Sequence, residues 1–92
     1  MAILVVAEAE GVTAEQDAVL VKALDLEGSP PAGARIRMAG PSAGGWRIVS
    51  LWDSEGEFER FRDERLLPAL TSMGVVIRPP EIWPVETVLT YP

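Results

Sequence analysis

Apolar residues along this chain fall into short runs of two different periods, separated by clusters of Gly, Pro and charge. Ala2 to Ala9 is apolar at both parities, with Ile3, Val5 and Ala7 on one side of an extended chain and Leu4 and Val6 on the other. A strand apolar on both sides is one buried on both sides. From Thr13 the period lengthens. Leu20, Val21 and Leu24 form a helical stripe with Ala14 and Ala18 beside it. Thr13-Ala14-Glu15-Gln16 fits a capping box with Thr13 as N-cap and Gln16 at N3. The helix it opens is expected to stop at about Leu24 to Leu26, ahead of the loop Glu27–Gly33.

Arg35-Ile36-Arg37-Met38 alternates polar with apolar, as a half-exposed edge strand does. Gly40 to Gly45 reads as a hairpin loop, and Trp46 to Trp52 as a third strand, again apolar on both faces. Ser54-Glu55-Gly56-Glu57 is a second capping-box pattern. The helix after it carries Phe58 and Phe61 and meets Pro68, which should kink it or start a fresh turn through Leu70 to Met73. Gly74 suits a C-cap, Pro79-Pro80 an extended spacer, and Glu81 to Tyr91 a last strand with Trp83, Val85 and Leu89 on one face. Pro84 within that strand assigns it to a sheet edge.

The order is strand, helix, strand, strand, helix, strand. Right-handed crossovers and a hairpin make this an α+β, ferredoxin-like βαββαβ domain spanning residues 1–92. Its four-stranded antiparallel sheet has spatial order 4-1-3-2, and both helices lie on one face. The doubly apolar strands then fall in the centre. Two helices shield one face only, so the other presents Leu4, Val6 and either the Trp46 or the Val49 set. Soluble monomers rarely leave such a patch bare, which predicts a homodimer packed sheet on sheet. The Trp83- and Tyr91-bearing last strand would be the arm that reaches the partner.

Composition narrows the chemistry. The chain has 92 residues, 48% of them hydrophobic, and a net charge of −6. Such a surface repels phosphate backbones and anionic lipid, so neither nucleic acid nor membrane is an expected partner. The opening Met1-Ala2-Ile3-Leu4-Val5-Val6 has no basic stretch of a secretory signal, which makes a cytoplasmic location the expectation. There is no Cys, no His and no Asn. Thiolate nucleophiles, zinc-thiolate sites and imidazole bases are excluded, and acid–base chemistry falls to Asp, Glu, Tyr, Lys or Arg.

Within the first helix, Asp17 stands in the stripe of Leu20, Val21 and Leu24 at i+3, i+4 and i+7 spacing. Arg65 lies seven residues after Phe58 and four after Phe61, on the expected inward side of the second helix. An acid and a base thus aim at the space between helices and sheet. One reading makes Asp17 a general acid or base and Arg65 the holder of an oxyanion or enolate. The other is a structural Asp17–Arg65 bridge, or snorkelling of Arg65. Trp46 and Trp52 share a strand face, where they pack a core or an interface, or wall a pocket for a flat aromatic ligand. Phe61 and Trp83 are further aromatic candidates for that wall. Glu86 interrupts an apolar strand, either as a solvent-facing edge residue or as a site residue. No third carboxylate or His accompanies Glu8 and Glu10, so no metal site is expected.

Several stretches resemble the dimeric α+β barrel superfamily, near the small proteins similar to antibiotic-biosynthesis monooxygenases. They are Gly45-Trp46-Arg47-Ile48-Val49, then Trp52-Asp53-Ser54 with Glu57-Phe58 and Phe61, then Leu66-Leu67-Pro68-Ala69-Leu70, and finally Pro84-Val85-Glu86-Thr87-Val88. The likeness covers nearly the whole chain. It implies a dimeric barrel and a cofactor-independent enzyme acting on a hydrophobic, polyketide-like or aromatic molecule. The reaction would be monooxygenation, or an acid–base cyclisation or isomerisation. The cofactor-free monooxygenases of this group use Asn, Trp and Tyr or His in the pocket, whereas this chain keeps Trp residues but has no Asn or His. Haem-degrading relatives need a His ligand that is absent here. The alternative function is a non-catalytic ligand-binding or dimerisation module.

Overall fold

The computed structural model describes all 92 residues. In chain order they form β1 (Ala2–Ala9), α1 (Ala14–Ala23), β2 (Ala34–Ser42), β3 (Gly45–Trp52), α2 (Glu55–Phe61), a π-helical turn (Arg62–Leu66), α3 (Leu67–Met73) and β4 (Glu81–Val85). The strands make one sheet in the order β2-β3-β1-β4, antiparallel throughout. This is the expected α+β arrangement, with β1 and β3 in the centre. No helix is long and apolar enough to cross a membrane.

Register assigns each central residue to a face. Ile3 pairs with Trp52, Val5 with Ser50, Ala7 with Ile48 and Ala9 with Trp46. That set looks toward the helices, because Ile3, Val5 and Trp52 share one buried cluster with Leu20, Leu24, Phe58, Phe61 and Leu70. The alternate set, Leu4 with Leu51, Val6 with Val49 and Glu8 with Arg47, looks the other way. The bare face therefore carries the Val49 set, and Trp46 belongs to the helix side.

The caps form where the residue pattern puts them. Thr13 Oγ1 accepts from the Gln16 N–H, and Gln16 Oε1 accepts from the Thr13 N–H, closing the capping box. At α2, Ser54 Oγ accepts from the Glu57 N–H, but the Glu57 carboxylate turns to the Ser54 hydroxyl at 3.0 Å. Gly74 caps α3 in the left-handed conformation, φ 70°.

Two boundaries differ from expectation. β2 does not stop at Met38 but continues to Ser42, leaving Ala43-Gly44 as a two-residue turn. Gly40 and Pro41 are tolerated there because an edge strand does not need every backbone donor. Gly45 at φ 142° closes the turn, and a Cβ on it would meet Ala9 O at 2.5 Å. β4 ends at Val85, opposite Ala2 at the start of β1, rather than at Tyr91. At Pro68 the second of the two expected outcomes holds, a fresh helix, α3, that runs on to Met73. Pro68 has no N–H and its ring crowds the carbonyl four residues back. The chain widens ahead of it into a π-helical turn, where the Leu67 N–H donates to Arg62 O.

Candidate functional site

A cavity of about 260 Å³ lies between the helices and the inner face of the sheet. Its walls are mostly apolar. Val5, Ala7 and Ile48 come from the central strands, Leu20 and Leu24 from α1, Phe58, Phe61 and Leu70 from the second helical segment, and Trp52 from the end of β3. Trp52 is 4% exposed and stands edge-on to Phe58, with ring centroids 5.5 Å apart, and 5.3 Å from Phe61. These rings hold one wall rigid.

One side of the cavity is polar. Asp17 projects from the inward stripe of α1 and is the one charged residue of the buried core, 9% exposed. Its carboxylate accepts two hydrogen bonds from Arg37, from Nη2 to Oδ1 at 2.6 Å and from Nη1 to Oδ2 at 3.1 Å. Such fork-to-fork pairing fixes both groups in orientation as well as in charge. Arg37 pairs with Ser50 across the β2–β3 ladder. Ser50 Oγ in turn accepts from Trp52 Nε1 at 2.9 Å. Asp17, Arg37, Ser50 and Trp52 thus form a contiguous set lining the cavity, with Gln16 beside them.

Asp17, Trp52 and Phe61 therefore line the cavity as their positions suggested. Arg65 does not. Its guanidinium donates to the carbonyls of Leu24 and Ser29, the latter at 3.0 Å, and lies 5.6 Å from the Phe61 ring centroid. The extra residue of the π-helical turn shifts the phase of the helix. Arg65 leaves the inward stripe and meets the carbonyls at the C-terminal end of α1, where a cation is favoured. An Asp17–Arg65 bridge is absent, and Asp17 has Arg37 instead.

The remaining candidates lie apart from the cavity. Trp46 is on the helix side of β3 but at its hairpin end, opposite Ala9 and Pro41, with its Nε1 buried and unpartnered. Trp83 sits on the bare sheet face opposite Leu4, 56% exposed, with Nε1 bonded to Glu81 Oε2. Glu86 follows the end of β4 and is exposed. No three acidic side chains converge as a metal site would need.

Arg37 and Ser50 are the functional candidates that the residue pattern concealed. Arg37 looked like the solvent side of an edge strand, yet it lies beneath α1. Ile36 and Met38, its apolar neighbours, are exposed at 41% and 57%. A face expected to pair with a second copy should hold just such apolar residues, and that was the available signal.

Further ion pairs lie beside the cavity and on the other face of the sheet. Glu8 binds Arg47 at 2.6 Å, Arg35 binds Asp53 at 2.6 Å and Arg62 binds Asp63 at 2.9 Å. The hydrogen bond from Arg47 holds the Glu8 carboxyl below its ordinary range, and the bond from Arg62 does the same for Asp63. Arg35 and Arg62 are held above the usual guanidinium value by their bonds to Asp53 and Asp63.

Solved structures share this architecture. A variant of SnoaB, a cofactor-independent oxygenase from Streptomyces nogalater, superposes with a TM-score of 0.63 at 12% identity, over 98% of this chain and 96% of that one. A candidate antibiotic-biosynthesis monooxygenase from Deinococcus radiodurans does so with a TM-score of 0.58 at 15% identity, over 99% and 98%. Neither a protein-family model nor a curated protein sequence matches the chain. At these identities the likeness establishes the fold, a βαββαβ α+β domain common to all three chains along nearly their full length.

Proposed function

We propose that the protein is a homodimeric, cofactor-independent enzyme that oxygenates a hydrophobic aromatic or polyketide-like molecule held in the interlayer cavity. The observation that carries this reading is the cavity itself, an apolar chamber with a single buried acid–base pair, Asp17 and Arg37, on its wall. The fold shared with a cofactor-independent oxygenase supports it.

In such a reaction the substrate supplies its own electrons. Asp17 takes a proton from an acidic O–H or C–H of the substrate, and Arg37 then faces the oxyanion or enolate that forms. That electron-rich anion reduces O₂. One oxygen atom enters the substrate as a new carbonyl on a former CH₂, and the other leaves as water. Trp52, Phe58 and Phe61 would hold the rings, and the rigid Ser50–Trp52 bond keeps the wall in register. The Asp17–Arg65 pairing of the sequence reading is replaced here by Asp17–Arg37.

The homodimer rests on the bare sheet face, where Leu4, Val6, Val49 and Leu51 are flanked by exposed Ile36, Met38 and Trp83. The segment after Val85 adds exposed Val88, Leu89 and Tyr91 as an arm toward the second copy.

The bidentate hold on Asp17 also favours a second reading, a non-catalytic module that binds the same ligand around a structural ion pair. Oxygen uptake with hydroxylated bicyclic aromatics in chelator-treated buffer separates the two. The enzyme reading expects a product heavier by one oxygen, less the two hydrogens lost, and a fall of roughly a hundredfold or more in turnover for Asp17→Asn. Tight binding without oxygen uptake supports the module. Ala7→Phe, which fills the cavity, should abolish binding under either reading.

A further inference from the structure

We infer that the cavity selects a ligand that enters uncharged, with about two fused rings and one hydrogen-bonding end. This rests on reading the cavity as the ligand site. Five charged residues border it, namely Glu8, Asp17, Arg35, Arg37 and Arg62, although the Glu8 side chain lies with Arg47 on the other face of the sheet. Each is already in an ion pair: Asp17 with Arg37, Glu8 with Arg47, Arg35 with Asp53 and Arg62 with Asp63. No cation is left over for a carboxylate or phosphate, and no carboxylate for an amine.

Depth makes the Asp17–Arg37 pair the decisive one. Their side chains are 11% and 27% exposed, whereas at least one member of every other pair is more than half exposed. A ligand bearing net charge would set an uncompensated charge against an apolar wall, or pull Asp17 and Arg37 apart. Both are costly where water is scarce. A neutral ligand meets no such cost. Ser50 accepts from Trp52 Nε1, which leaves its own O–H to donate to a ligand oxygen.

The charge count is also kept through chemistry. If a neutral ligand gives a proton to Asp17, the carboxylate becomes neutral as the ligand oxygen becomes negative. Arg37 exchanges one anionic partner for another, and the sum stays at zero. An anion arriving from solvent has no such route. Size follows from the volume. About 260 Å³ exceeds the cavity of roughly 150 Å³ that takes up benzene, and falls just under the roughly 300–1,000 Å³ of drug-sized sites.

The test is calorimetric titration at neutral pH with three probes that share one ring system and differ in charge: 2-naphthol, 2-naphthoate and 2-naphthylmethylammonium. The expected result is that 2-naphthol binds at least roughly tenfold more tightly than either ion. Asp17→Asn unpairs Arg37 and should turn the preference toward 2-naphthoate. The double change Asp17→Asn with Arg37→Gln removes both charges and should restore the preference for 2-naphthol. Tighter binding of 2-naphthoate by the unaltered protein overturns the inference, and so does an Asp17→Asn protein whose preference is unchanged. The unaltered protein decides the matter by itself if Asp17→Asn does not fold. Binding of none of the three sinks the proposed ligand site and this inference together. Binding with an ion foremost sinks the inference alone.

Discussion

The two faces of the sheet are built from the same strands and much the same side chains, yet they do different things. Along β1, Ile3 and Val5 point to the helices, and Leu4 and Val6 point away. The helix side closes over a cavity and a buried ion pair. The other side is an open apolar surface with Ile36, Met38 and Trp83 at its margins, all more than two-fifths exposed. Hydrophobicity alone therefore does not distinguish a covered face from an open one. What distinguishes them is whether the chain has an element left to cover the face, and this chain has spent its helices on one side.

The largest expected effect breaks the helix side. Trp52→Ala removes the ring that joins the strand end to Phe58 and Phe61, and should cost about 3–5 kcal/mol in urea unfolding. A helix-side core that unfolded no more easily without it would remove the contrast. Next is Asp17→Ala, which strands Arg37 in a half-buried position and should cost about 3 kcal/mol. The outer face predicts the opposite profile. Val49→Glu should leave the protomer fold within about 1 kcal/mol, yet convert a dimer to a monomer in sedimentation. If the unaltered protein sediments as a monomer at micromolar concentration, the homodimer and the two-face comparison both fail.

Arg65→Ala comes fourth. It removes charged hydrogen bonds to the carbonyls of Leu24 and Ser29 and should cost about 1–2 kcal/mol without changing ligand affinity. A loss of affinity there would return Arg65 to the site. The smallest effect concerns the rim of the outer face. Glu8 is held below its ordinary value of 4.5 by Arg47, so the unfolded chain binds the proton more readily. The stability it contributes is therefore complete above about pH 4.5 and is lost as pH falls through its lower folded value. Glu8→Gln should flatten the acid limb of a plot of melting temperature against pH, and an unchanged limb would assign acid sensitivity elsewhere.

Much of the fold was legible because each signal is local. The Thr13 and Ser54 caps, the Gly74 stop and the two-sided grease of β1 and β3 act within a few residues of themselves, and strand order followed from which strands needed burial on both faces. Asp17 was legible as an inward acid for the same reason, since helical spacing to Leu20 and Leu24 decides it. Phe61 followed from helical spacing in the same way, whereas the strand face shared by Trp46 and Trp52 left core, interface and pocket wall open, and only Trp52 lines the cavity. The partner of Asp17 was not legible. Arg37 lies 20 residues further along, on a strand whose alternation is compatible with either orientation, and only the β2–β3 register turns it under α1. Arg65 was misdirected by one residue of helical phase, inserted where Pro68 withholds its N–H. The amino-acid sequence alone thus determined the elements, their caps and the acid in the core, because these depend on neighbours in the chain. Tertiary structure decided which base meets that acid, because an ion pair depends on distance in space, and register and helical phase set that distance.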